Sequence, residues 1–214
     1  MLVAKRCIVS VGVGGNYGHV GIPRLSESLT KVGDVAFKHF YQDRYPKCSP
    51  TNAQVPRAFK LYAIDEAMRD GFNVIMWNDA TVCWEKSTEP VWQRIEKDGY
   101  FFTQWSNTIT DIGNPEAFKM LGEDWDSCVA EKIPTILAGL WGIDLRSDIG
   151  RAIYMHLWFT MKAGAWMEPD GREEVPMSLM VKRWGLKSDP DHETNWFTAK
   201  HIRNPNRLAW FEGV

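Results

Sequence analysis

The sequence has little that would staple or anchor it. Its four cysteines, Cys7, Cys48, Cys83 and Cys128, lie far apart and form no Cys-x-x-Cys pair, which argues for free thiols and against a disulfide-built scaffold. No apolar run approaches the roughly 20 residues of a membrane-spanning helix. Neither sign of charge dominates, with 25 basic against 27 acidic residues and a net charge of −2. There is thus no cationic excess to grip a long phosphate backbone. The sequence has neither the Gly-Lys-Ser/Thr of a P-loop nor the spacing of the dinucleotide glycine fingerprint. The five histidines, His19, His39, His156, His192 and His201, are scattered, which gives a zinc site weak support. Residues 1–11 read as a first strand and not as an export signal, and with the free thiols this predicts a cytoplasmic protein.

Tryptophan, by contrast, is abundant, at 11 of 214 residues. Its indole N–H wants a partner when buried, so these rings serve either as thick core packing or as platforms for the C–H faces of sugars. The remaining composition, 44% hydrophobic and 24% charged, is that of an ordinary globular domain.

Strand and helix patterns alternate along the chain. A buried strand over 7–11 enters a glycine loop, and a helix over 23–31 stops at Gly33. A strand follows at 35–41, then a Pro-rich loop over 45–56 and an amphipathic helix over 57–69. The run 72–77 is nearly continuous in apolar residues, as in a strand covered on both faces. A helix over 88–97, capped by Thr88, leads to a strand at 100–103. A short helix is expected at 114–121, a strand and tight turn in the glycine-broken run 133–145, and helices at 147–162 and 174–184. This order predicts a single α/β domain over 1–214 with a mixed, mostly parallel sheet flanked by helices. Residues 187–214 form a polar tail, either a lid or a cover for the sheet edge.

Ligands of open α/β sheets gather beyond the carboxyl ends of the strands, and two features fall there. Val11 and the loop Gly12-Val-Gly-Gly-Asn-Tyr-Gly18 could admit a nucleotide, with Tyr17 stacking on its base. The alternative is a plain flexible loop. Asp79 directly follows the most hydrophobic strand, where a carboxylate suits a divalent ion and a diphosphate, or else caps the next turn. Arg57 and Lys60, at i and i+3 on one helix face, could both reach a phosphate; solvated charges are the plain alternative. Gly139 and Trp141 could wall a donor or acceptor, or simply pack a strand end.

The stretch Ile75-Met-Trp-Asn-Asp-Ala-Thr-Val82 resembles the strand and Asp-x-Asp motif of GT-A-fold glycosyltransferases, with Asp79 in the first acidic position and Thr81 in the second. Gln54-Val-Pro-Arg-Ala-Phe-Lys-Leu-Tyr-Ala-Ile64 resembles the segment that precedes this motif in a group of nucleotide-diphospho-sugar transferases from phage and bacterial genomes. Residues 105–111 and 138–145, and the acidic helix start at Arg172-Glu-Glu174, extend the likeness over roughly six-sevenths of the chain. The resemblance implies a GT-A-like, Rossmann-like domain and a nucleoside diphosphate sugar as donor, most simply a uridine one. It also implies a divalent metal, Mn2+ or Mg2+, held by Asp79, with His192 as a late ligand. Thr81 departs from this pattern, since a hydroxyl does not replace a charged ligand.

The reading that follows is a glycosyltransferase acting on a glycan, a protein or a modified nucleic-acid base. Asp79 steadies the diphosphate, and Lys60 or Arg57 adds positive charge as the leaving group departs. Glu173 or Asp111 serves as base if the reaction inverts. Glu173 and Glu174 also suit the positive end of a helix. A non-catalytic sugar-nucleotide binder with a degenerate metal site, or a nucleotidyltransferase, stands as the alternative.

Overall fold

In a computed structural model, the structure describes residues 3–33, 35–41, 43–167, 173–189 and 199–201. Five strands, β1 (Arg6–Gly12), β2 (Phe37–Tyr41), β3 (Val74–Asn78), β5 (Tyr100–Thr108) and β6 (Pro134–Asp144), form one sheet in the order β2-β1-β3-β6-β5. β1 pairs parallel with β2 and β3, and β6 runs antiparallel to both β3 and β5. Four strands therefore point one way and β6 alone opposes them, which is the expected mixed, mostly parallel sheet. A separate antiparallel pair joins β4 (Val82–Trp84) to β7 (Ala199–His201).

Helices cover both faces because the strands are apolar on both. On one side, Cys7, Val9, Ile75 and Trp77 pack with α2 (Phe59–Arg69), α6 (Asp148–Lys162) and α7 (Glu174–Arg183). On the other, Ile8, Val74 and Met76 meet α1 (Gly21–Val32) and α3 (Glu89–Asp98). A smaller cluster around α4 (Pro115–Met120) and α5 (Trp125–Glu131) buries Ile109, Phe118 and Cys128. Trp77, Trp84, Trp92, Trp141 and Trp166 are all core residues, so for these five the packing reading holds and the sugar-platform reading does not.

Two local expectations change. Thr88 does not cap α3 through its side chain; its hydroxyl instead accepts from Trp92 Nε1 at 3.1 Å. The glycines of 133–145 make no turn, and β6 runs unbroken for 11 residues. Gly142 is there for close approach, since a Cβ at that site would lie 2.3 Å from Ile95 Cδ1 on α3. The helix over 125–131 was not anticipated, its apolar period being short; Asp124 caps it by accepting from Ser127 N.

β6 is nevertheless irregular where it matters. Phe102 pairs with Trp141 and Gln104 with Ile136, so two steps along β5 answer five along β6. The side chains shift with it: Ile136, Ala138, Trp141 and Ile143 share one cluster while Leu140 joins the other. A bulge of this kind frees backbone groups from the ladder. On the other side of β5, the backbone of Asp189 bonds to Phe102 and Gln104, closing that stretch of the outer edge.

Replacing Gly142 with alanine would press α3 off the sheet, and overpacking of this kind costs about 1–3 kcal/mol. Urea unfolding of G142A should show that loss, and an unchanged midpoint would refute the close-packing role.

Candidate functional site

At the carboxyl end of β3, four distant segments meet. Lys60, in the first turn of α2, is almost wholly buried, with 4% exposure. Its ammonium lies 2.6 Å from Glu173 Oε1 and 3.2 Å from Asp79 Oδ1, and it donates to the Ala138 carbonyl at 2.9 Å. The bulged course of β6 brings that carbonyl to it. Three acceptors match the three N–H groups of an ammonium, and the Trp77 ring lies 5.0 Å away as a cation–π neighbour.

Asp79 is fixed at both ends. Its backbone N–H donates to Gly139 O at 2.8 Å, and its carbonyl accepts from Val82 N. Its Oδ1 also accepts from Trp77 Nε1 at 2.8 Å, while about a third of the side chain (34%) stays exposed. Gly139 thus acts through its carbonyl, by positioning Asp79.

Glu173 precedes α7 and has 2% side-chain exposure. One oxygen takes Lys60; the other accepts from Arg57 Nη1 at 2.8 Å. Arg57 does not share a helix face with Lys60, as expected from the i, i+3 spacing. It sits before α2 at φ 60, with its backbone N–H bonded to Asn52 Oδ1. That left-handed turn is what directs its side chain across to Glu173.

Two cations therefore face three carboxylates, and Glu174 is the one left over. Its Oε2 is 3.6 Å from Arg57 Nη1 and has no hydrogen bond. Burial, reinforced by the negative charge of Glu173, pushes its pKa up from the usual 4.5 to about 7 against the pull of Arg57 and Lys60. Burial also opposes ionisation of Glu173, yet Lys60 and Arg57 outweigh it and hold that carboxyl below its usual value. For Lys60, burial works against the charge and the neighbouring Asp79, Glu173 and Glu174 more than restore it. The sequence offered both Glu173 and Glu174 as helix-end acids and named Glu173 as the base; only the pairing pattern singles out Glu174.

The glycine loop adjoins this cluster. Gly12 folds tightly on Gly18, where a Cβ would come 2.6 Å from Gly18 Cα, and α1 abuts the Asp79 turn because Gly21 leaves room for Ala80 O. Arg24 Nη2 donates to Thr81 O. Tyr17 ends a 3-10 turn (Gly15–Tyr17) and is half-buried.

Other candidates are placed elsewhere. Val11 and Trp141 are buried in the core, so neither offers its side chain to a cleft. Asp111 closes a capping box with Thr108, accepting from its backbone N–H and its hydroxyl, and is a local cap in place of the expected base. His192 and Arg172 lie outside the described residues.

A divalent ion fits the described donors poorly. Hard cations want several oxygen ligands, but Asp79 is the one carboxylate of the motif, and its Oδ1 already serves an ammonium and an indole N–H. Thr81 holds the second motif position. Among the described residues no group of three or more His, Cys, Asp or Glu could hold a metal.

No family model matches the chain, and no curated protein matches it in sequence. Solved structures do match its fold. A glycosyltransferase involved in glycosylation of the major capsid of PBCV-1 superposes over 97% of this chain and 100% of its own, with a TM-score of 0.53 and 12% identity. The apo form of the glycosyltransferase GlyE of Streptococcus pneumoniae TIGR4 covers 89% of this chain at a TM-score of 0.49 and 12% identity. This chain spans 46% of that second protein, under half its length. The full-length match gives the chain the fold of a glycosyltransferase, GT-A-like in its mixed sheet.

Lys60→Met would strand Glu173 as a buried, under-compensated charge, a change that costs about 3–5 kcal/mol. Adding Glu173→Gln should recover part of the loss, and a K60M protein as stable as the parent would contradict the cluster. Glu174 has the opposite pH signature to Glu173. Its folded pKa is raised, so its ionisation removes stability as pH climbs from 4.5 to about 7. Unfolding of Glu174→Gln across that window should lack this decline.

Proposed function

We propose that the chain transfers a sugar from a nucleoside diphosphate sugar, a uridine one by the resemblance, to a hydroxyl acceptor. The observation that supports this is a charged cluster of Arg57, Lys60, Asp79, Glu173 and Glu174 at the carboxyl end of β3 on a glycosyltransferase fold. The donor's nucleotide would lie against the glycine loop, near Tyr17.

In the reaction, the bond between the anomeric carbon and the diphosphate oxygen breaks, and the nucleoside diphosphate leaves with the electron pair. The acceptor oxygen forms the new bond to that carbon, and its proton passes to Glu174, the carboxylate that is not neutralised by pairing. Arg57, with 35% of its side chain exposed, can face the charge that develops on the leaving diphosphate. Lys60 is enclosed and does not touch substrate; it keeps Glu173 ionised and holds Asp79 in place. The exposed part of Asp79 suits a donor hydroxyl. The described donors do not favour a divalent ion, so no step is assigned to one.

Thermal unfolding with UDP, GDP, CDP and ADP tests the reading. A ligand at 100 times its dissociation constant adds about 2.7 kcal/mol, and UDP should raise the midpoint most. If none of the four does so, the transferase reading fails; pyrophosphate release from a nucleoside triphosphate would replace it with nucleotidyl transfer. Glu174 must be ionised to accept a proton, so the transfer rate should climb as pH rises through about 7. Glu174→Gln should lower the rate by about 10²–10⁴-fold while UDP still binds. Full activity in E174Q would remove Glu174 from the mechanism.

A further inference from the structure

We propose that the cavity between the outer half of β6 and the last turns of α7 is the acceptor subsite, and that it takes an uncharged saccharide. The proposal rests on the transferase reading above for its role, though not for its ligand. The cavity has a volume of about 400 Å³. It lies at the register shift between the two strands, where Gln104 pairs with Ile136 beyond the pairing of Phe102 with Trp141.

Two elements lead from the charged cluster into it. On β6, Ile136 lines the cavity two residues from Ala138, whose carbonyl holds Lys60; that is roughly 7 Å along a strand. On α7, Ser178 lines it four residues after Glu174, about 6 Å of helix rise. The Ser178 hydroxyl locks the two together, donating to Glu174 O at 2.6 Å and accepting from Ile136 N at 2.7 Å. Glu174 and the cavity therefore share one face of one helix, and a sugar seated there would present a hydroxyl toward that carboxylate.

The lining chooses the ligand class. Ile136, Val181 and Leu186 give an aliphatic floor, suited to the C–H face of a pyranose. Around it stand an amide, Gln104, a hydroxyl, Ser188, and the ion pair of Lys182 with Glu131. Each can exchange hydrogen bonds with sugar hydroxyls, the carboxylate accepting and the ammonium donating. The pair sums to no net charge, so a phosphate or a nucleic-acid backbone gains no electrostatic advantage. Of the three acceptor classes that the sequence left open, a glycan is the one this chemistry favours.

Saturation-transfer NMR on the full chain, with the methyl glycosides of glucose, galactose, mannose and N-acetylglucosamine and with lactose, tests the subsite directly. Two variants interrupt it by different routes: Gln104→Ala with Lys182→Ala removes hydrogen-bonding groups, and Ser188→Trp fills the space. Thermal unfolding confirms that each still folds. The expected result is that at least one saccharide binds the parent and that both variants weaken it about tenfold or more, with the UDP shift of the parent retained. Saccharide binding that survives both variants would overturn the proposal, as would a panel in which nothing binds. A UDP shift alongside either of those outcomes would leave the transferase reading standing and remove only the subsite. Saccharide binding lost in the variants without any nucleotide shift would keep the subsite and remove the transferase reading.

Discussion

A single buried ammonium organises the end of this molecule where chemistry is expected. Burying Lys60 would be prohibitive without compensation, and the compensation comes from three places in the chain: the turn after β3, the bulged centre of β6 and the start of α7. The position of each follows from that demand. Asp79 is drawn inward by the ammonium and the Trp77 indole, Ala138 presents its carbonyl, and Glu173 is held ionised where burial alone would protonate it. Glu174 is raised by burial and by the adjacent charge of Glu173, and with both cations committed to Glu173 their pull does not offset it.

The sheet provides the frame and its irregularity provides the opening. A regular β6 would keep Ala138 in register with β5. Instead β6 bulges between its pairings with Phe102 and Gln104, while Asp189 covers the outer edge of β5. The charged cluster and the neutral cavity both border β6, and Ser178 links the cavity wall at Ile136 to the start of α7. One strand thus borders both a region of strong charge and one of hydrogen-bonding neutrality.

Much of the frame was legible in the sequence because its signals are local. Apolar runs located β1 and β3, periodicity located α1, α2, α3 and α6, and glycines marked helix ends. Glycine misled in β6, where Gly139 and Gly142 answer to neighbours distant in sequence: Gly142 to α3, Gly139 to Asp79. The site was legible by residue more than by role. Asp79, Lys60, Arg57 and Glu173 do meet, yet the i, i+3 spacing gave the wrong reason for Arg57, which reaches Glu173 from a left-handed turn. Asp111 looked equivalent to Glu173 as an isolated carboxylate. Only its hydrogen bonds to Thr108 distinguish it as a cap. Glu173 and Glu174, adjacent and chemically alike, differ in how closely the two cations approach: both bond Glu173, while Arg57 comes only to 3.6 Å from Glu174.

The long reach of these pairings has a consequence for how the chain comes together. Arg57 and Glu173 are 116 residues apart in sequence, and no local segment can rehearse their contact. Structures that rely on such distant partners are slow to assemble, because the loop must close before its reward arrives. During synthesis, α2 and β3 emerge well before α7, so Lys60 is made long before its partner Glu173. The cluster thus depends on the docking of a helix far along the chain from α2: without α7 in place, Lys60 would keep Asp79 and the Ala138 carbonyl but lose its nearest counter-charge.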